Sequence, residues 1–189
     1  MKEKKIRHHM PIALIDVDNT LCDFATPLYN ELIQTHPDIP IVSEWHNWRF
    51  WKDHMEPKDF YNAVNVVQGD SRLWEVIEGA SELLYRLRTQ YLIIIASHRA
   101  NTPQTHIQLM DWLYRNDLPY HQIYLSYDKT VLFPQVDFIV DDSPSILRKA
   151  AAYYGNNRCV FGLKFPWNKC IIDNENVWLV ESLHHIMEF

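Results

Sequence analysis

Two aspartates stand two residues apart, Asp16 and Asp18 in the string IDVDNT. A carboxylate at the first position can ligate a divalent cation and attack phosphorus, leaving an aspartyl-phosphate. The second can protonate the departing oxygen and later activate water. Asp141-Asp142 is the complement. Mg²⁺ prefers an octahedron of oxygens and keeps some water, so one of this pair can bind it directly and the other through water. The Ser97 hydroxyl can donate to a phosphate oxygen. Lys129, in the string YDKT, can neutralise phosphate and nucleophile together.

Each feature alone has a plainer reading. Asp and Asn favour turns for local reasons. Asp before Ser-Pro suits a helix N-terminus, where the dipole favours negative charge. Serine at a strand end and lysine in a loop are ordinary. The conjunction is more specific, because the elements that must carry these residues are alike. Ile12–Ile15 stops at Asp16, Leu92–Ala96 stops at Ser97, and Phe138–Val140 stops at Asp141. Apolar runs without polar alternation read as strands buried on both faces of a parallel sheet. Ligands of open parallel sheets bind beyond the strands' carboxyl ends. Four carboxylates on one edge repel one another unless a cation sits among them. The expected occupants are Mg²⁺ and a phosphate group.

The remaining elements alternate. The pattern predicts a helix near 26–35 with Pro27 in its first turn. It predicts helices at 57–67 and 74–89, the latter carrying Ile77, Leu83, Leu84 and Leu87, then strand 91–96. Asn101-Thr102-Pro103 reads as a cap followed by Pro at the first helical position. Ile107, Met110, Trp112, Leu113 and Tyr114 then supply an expected buried face. Strands at 122–126, 137–140, 159–163 and 177–180 follow, with a Ser143-Pro144 cap opening a helix that ends near Gly155. This order predicts an α/β fold, a Rossmann-like parallel sheet flanked by helices. Residues 27–72 are expected to form a small helical cap inserted after the first strand, with 1–26 and 73–189 as the core.

That cap holds Trp45, Trp48, Phe50 and Trp51 within seven residues. Aromatic faces can stack on a nucleobase, at about 1–3 kcal/mol each. They can equally form the cap's own small core or pair two copies of the chain, so a homodimer stays open. His98 and Arg99 follow Ser97 and are expected at the pocket rim. There His98 would join the phosphate site and Arg99 would meet a second anionic group. Pro166-Trp167-Asn168 reads either as an ordinary turn or as a wall of the site. His184-His185 reads as a surface or packing pair.

Bulk properties narrow the classes. The chain has 189 residues, enough for one domain with an insertion. A net charge of −6 disfavours nonspecific binding to nucleic acid or to an anionic membrane. No apolar run approaches the roughly 18 residues of a membrane span. The start, MKEKKIRHHM, is basic, but too short an apolar stretch follows for a signal peptide. Cys22, Cys159 and Cys170 are odd in number and show no metal-ligand spacing, which suits a reduced, cytoplasmic setting.

The set Asp16-Val17-Asp18-Asn19-Thr20, Ser97, Lys129 and Asp141-Asp142 resembles the four signatures of the haloacid dehalogenase superfamily of phosphohydrolases. Within it, DVDNTLCDF, YDKTVLFPQVDFIVDDSP and PWN at 166–168 are most similar to the 5′(3′)-deoxyribonucleotidase group. The chain departs from that group's usual pattern at Asn19-Thr20, where Gly-Val is typical, and at Ser97-His98-Arg99. The resemblance implies a Mg²⁺-dependent phosphomonoesterase with Asp16 as nucleophile and metal ligand. Asp18 would be the acid/base and a ligand through its carbonyl. Ser97 and Lys129 would hold the phosphoryl group, and Asp141 and Asp142 the metal. The expected substrate is a (deoxy)nucleoside monophosphate, read through Trp45, Trp48, Trp51 and Arg99. The alternatives are a phosphatase of sugar phosphates or other small phosphoesters, and a noncatalytic phosphate- or protein-binding module.

Overall fold

A computed structural model describes residues 10–155, 159–171 and 176–188. The basic start up to residue 9 lies outside the described residues. Four-residue β1 (Ile12–Ile15) is central. Around it run β4 (Leu92–Ser97), β5 (Gln122–Leu125), β6 (Phe138–Val140), β7 (Cys159–Leu163) and β8 (Trp178–Val180) in the order β5-β4-β1-β6-β7-β8, all parallel. The register sets Ile15 against Ile95 on one side and Val140 on the other. β1 and β6 therefore end level, and β4 runs on past them to Ser97.

Both faces of the sheet are buried, as continuous apolar runs require. Ala13, Ile15, Ile93, Ile95 and Val140 pack into one cluster, covered by α3 (Ala80–Arg88), α4 (Pro103–Arg115) and α6 (Leu183–Ile186). Leu14, Ile94, Ala96 and Ile139 point into the other, covered by α5 (Pro144–Tyr154) and the 3₁₀ stretch Thr130–Gln135. Gly162 in β7 permits this closeness: a Cβ there would lie 2.8 Å from the carbonyl oxygen of Asp141 and 2.9 Å from Leu147.

The insertion leaves and returns through a two-stranded antiparallel ladder, β2 (Cys22–Asp23) against β3 (Glu75–Val76). Between them lie α1 (Ala25–Leu32), 3₁₀ turns at Val42–Glu44 and Phe50–Asp53, and α2 (Pro57–Gly69). Trp45, Trp51, Phe60 and Val67 of this cap belong to the same apolar cluster as the first sheet face.

Three local expectations are corrected. The helix expected over 74–89 starts only at Ala80. Residues 75–76 extend to pair with β2, and Gly79 (φ 85°) makes the left-handed turn ahead of the helix. On α4 the buried face is Leu109, Trp112 and Leu113, while Ile107, Met110 and Tyr114 are exposed. Thr102 does cap α4, accepting from the Thr105 N–H at 3.2 Å, but the Ser143 side chain caps nothing.

Candidate active site

The turn after β1 is tight because Val17 accepts backbone bonds from Thr20, Leu21 and Cys22. Asn19 sits at φ 57°, a conformation Asn tolerates better than most residues. Its Oδ1 accepts from the Phe24 and Ala25 N–H groups, tying the turn to the start of α1. Its Nδ2 donates to Asp142 Oδ2 at 3.3 Å. The turn thus presents Asp16 and Asp18 on one side and anchors Asp142 on the other.

Asp16 continues β1, its N–H bonded to the carbonyl of Val140 at 2.9 Å. Lys129, at the start of the 3₁₀ stretch, puts Nζ 2.6 Å from Asp16 Oδ1 and 2.6 Å from Asp141 Oδ2. Asp141 also accepts from the Ser143 N–H at 2.9 Å. Asp142 accepts from the Trp167 indole at 2.9 Å. Asn168 donates to the Asp142 carbonyl at 3.1 Å and to that of Leu163 at 2.7 Å. The turn at 166–168 is therefore a buried support of the acidic centre.

Carboxylate oxygens of Asp16, Asp141 and Asp142 lie within 4.8 Å of one another, all buried. Burial is the main force raising Asp16, pushed up to about 7; Lys129 opposes it and Asp141 and Asp18 add to it. Burial, then Asp16 and Asp141, raise Asp142 well above the ordinary carboxylate value. For Lys129, burial works against the charge, but Asp141 and Asp16 more than reverse it, so it stays an ammonium. Ionising all three carboxylates against one ammonium would leave excess negative charge in a low dielectric, which a bound cation would offset. An all-oxygen donor set of that charge fits a hard divalent cation.

Asp18 turns away from this trio. Its carboxylate pairs with the Arg99 guanidinium (Nη2 to Oδ1) and accepts from Gln68 of α2 at 3.4 Å. Arg99 is corrected from the rim to the interior: it is 1% exposed, with Cζ 3.9 Å above the Trp74 ring. Gln68 and Trp74 had no signal in the sequence, since neither belongs to a chemically distinctive string. Ser97 is the last residue of β4 and fully buried, and its Oγ has no protein partner. A buried hydroxyl left unmatched costs about 1–3 kcal/mol, so a phosphoryl oxygen is a fitting acceptor. His98 faces the pocket, its ring edge-on to Tyr127 at 4.9 Å. Burial and the nearby Lys129 lower its pKa.

Above this floor is a cavity of about 710 Å³, within the range of ligand sites. Trp48, Trp51, Phe60 and Tyr61 of the cap form its walls. Trp45 is corrected from substrate contact to cap core. It is fully buried, stacked on Phe50 at 3.9 Å, with its indole donating to the Pro40 carbonyl.

Solved structures share this fold. A haloacid dehalogenase-like hydrolase from Streptococcus pneumoniae is 12% identical, with 95% of this chain and 97% of that chain covered at a TM-score of 0.65. A haloacid dehalogenase-like protein from Agrobacterium tumefaciens is 15% identical over 95% and 97%, at 0.64. A HAD hydrolase of Bacillus subtilis, described as bound to magnesium, is 16% identical over 96% and 100%, at 0.56. No curated protein sequence matches the chain. The fold is that of the haloacid dehalogenase-type hydrolases, and together with the match to a nucleotidase family model it makes the protein a phosphatase of that type. More narrowly, the sequence model of the family described as "5′ nucleotidase, deoxy (Pyrimidine), cytosolic type C protein" matches residues 10–179, and the chain belongs to that family. Among the described residues no helix is long and apolar enough to cross a membrane.

Proposed function

We propose that the protein is a Mg²⁺-dependent 5′-nucleotidase of the cytosol that hydrolyses (deoxy)nucleoside monophosphates through a phosphorylated Asp16. The observation that carries this reading is Lys129 Nζ, held 2.6 Å from both Asp16 and Asp141 at the floor of an aromatic-walled cavity. An anionic nucleophile meets an anionic substrate there, and the buried ammonium offsets their repulsion.

An Asp16 oxygen attacks phosphorus while the bond to the leaving ester oxygen breaks. Asp18 gives that oxygen its proton, and the nucleoside leaves with a free hydroxyl. Asp18 then takes a proton from water, which attacks the phosphorus of phospho-Asp16 and releases inorganic phosphate. Ser97 and Lys129 hold the phosphoryl oxygens, with His98 beside them. Asp16, Asp141, Asp142 and the Asp18 carbonyl would hold Mg²⁺, which when bound supplies further positive charge to the transferring phosphoryl group. Trp48 and Trp51 supply faces on which a base can stack.

The test is phosphate release from a panel of nucleoside monophosphates and sugar phosphates, with Mg²⁺ and with chelator, for wild type and Asp16→Asn. Chelator-sensitive release, strongest on nucleotides and lost in the variant, is the expected result. Equal rates on base-free sugar phosphates would overturn the nucleotide assignment. Turnover that survives Asp16→Asn would overturn the mechanism.

A further inference from the structure

A second groove, of about 860 Å³, opens beside the cavity over Asp16 and shares Trp48, Arg49, Lys52 and Ser143 with it. Its cap wall brings Arg49 and Lys52, and its core wall brings Arg148 and Lys149 from α5. Asp53 is the one carboxylate among its lining residues. The whole chain has 24 acidic against 18 basic residues, so four cations to one acid inverts the local balance. Among the described residues none of these cations has a carboxylate within ion-pair distance. Lys149 feels Asp128 only at longer range, and Arg148 donates to the Cys170 sulfur at 2.9 Å. The groove also meets the first turn of α5, where Pro144 has no N–H and the Ser143 side chain makes no cap.

We propose that this groove is a second anion subsite that takes a phosphoryl group, so that a nucleoside phosphorylated at two positions is a better substrate than a monophosphate. The proposal rests on the nucleotidase reading above and extends it. The shared wall carries the argument: an anion in the groove and a phosphoryl group on the Asp16 floor lie in adjoining cavities that share Trp48, Arg49, Lys52 and Ser143 as lining. One ester is hydrolysed. Water is consumed, the oxygen–phosphorus bond at the Asp16 floor breaks, the departing oxygen gains a proton, and the phosphate in the groove stays attached to the product. Arginine suits that role because its fork matches phosphate oxygens.

The experiment compares kcat/KM for a nucleoside 5′-monophosphate and the corresponding 3′,5′-bisphosphate, in wild type and in Arg148→Gln/Lys149→Gln. The expected wild-type ratio is about tenfold in favour of the bisphosphate, falling towards one in the variant and in high salt. Calorimetric titration of Asp16→Asn with each nucleotide and with inorganic phosphate gives a readout that needs no turnover. A second bound phosphate lost in Arg148→Gln/Lys149→Gln, with no preference for the bisphosphate, would assign the subsite to free phosphate. Equal kcat/KM and equal affinity for both nucleotides, with no second phosphate bound, would overturn the proposal while leaving the nucleotidase intact. Absence of monophosphate turnover would count against the nucleotidase instead, and the calorimetric comparison would still decide the subsite.

Discussion

The indole N–H of Trp167 donates to Asp142 Oδ2 across 2.9 Å, joining the turn at 166–168 to the acidic centre that follows β6. Asn19 Nδ2 donates to the same oxygen at 3.3 Å. Asp142 is thus held by two neutral donors while Lys129 holds Asp16 and Asp141. Groups that orient metal ligands typically change metal affinity by about 10–100-fold when lost.

Trp167→Phe keeps the ring and its stack on Phe165, with centroids 4.5 Å apart, and removes only the donor. The Mg²⁺ concentration giving half-maximal phosphate release should rise by roughly tenfold. The rate at saturating Mg²⁺ should fall much less. A folded variant with the wild-type Mg²⁺ dependence would show that Trp167 is packing alone.

The raised Asp16 pKa makes metal-free stability depend on pH. Burial lifts it from 3.8 to about 7, so the folded state holds a proton that the unfolded state releases. That contribution is fully present below the unfolded value and fades as pH rises through about 7. Asp142, also raised, acts in the same direction. The metal-free protein should therefore melt at a lower temperature at pH 8 than at pH 6. Mg²⁺, which displaces these protons, should stabilise more at pH 8. Thermal melts with and without chelator at both pH values check this. An equal Mg²⁺ effect at both would contradict it.

The site was legible in the sequence where chemistry and topology coincide. Asp16, Ser97 and Asp141 each end an apolar run, and in a parallel sheet the end of a run is the sheet edge. The structure adds that β4, β1 and β6 are neighbours, with β1 and β6 ending level and β4 running on to Ser97. Arg99 was misplaced because its fate depends on Trp74 and Asp18, distant in sequence and invisible to local pattern. Trp45, Trp48 and Trp51 are equally apolar, and of the three only Trp51 lies in a 3₁₀ turn, so no periodicity tells wall from core. On α4 the apolar residues at 107, 109, 110, 112, 113 and 114 nearly encircle the helix, leaving its buried face undetermined until the neighbours are known.

Arg99 fixes Asp18 from below, and the pair is nearly sealed, with side chains 1% and 17% exposed. Arg99→Met removes the fork and the charge while keeping much of the stem over Trp74. Breaking a buried pair by removing one partner costs up to about 3–5 kcal/mol. The partial exposure of Asp18 puts the expectation at the low end. The variant should melt several degrees lower. Its kcat should fall at least tenfold with KM little changed, because Asp18 loses its orientation and not its contact with substrate. Arg99→Lys should recover little, since an ammonium can neither fork nor stack as a guanidinium does. Melting and steady-state kinetics together decide it. A rise in KM alone would mean that Arg99 acts on the substrate directly.

Trp48 and Trp45 provide a matched pair for separating recognition from architecture. Trp48 lines the cavity and lies 5.0 Å from Trp167, ring centroid to ring centroid. Trp45 is fully buried behind it, stacked on Phe50. Stacking of a base on one aromatic ring is worth about 1–3 kcal/mol, so Trp48→Ala should raise KM for a nucleotide by roughly 5–150-fold. The same variant should leave kcat/KM for a base-free sugar phosphate within a few-fold of wild type. Trp45→Ala empties a buried site and should cost about 3–5 kcal/mol in stability, lowering activity on both substrates alike. Steady-state kinetics on the two substrates, with a denaturant melt of each variant, give the comparison. If Trp48→Ala weakens both substrates equally, Trp48 maintains the shape of the cap. The base would then have to be recognised by Trp51 or Tyr61 on the opposite part of the wall.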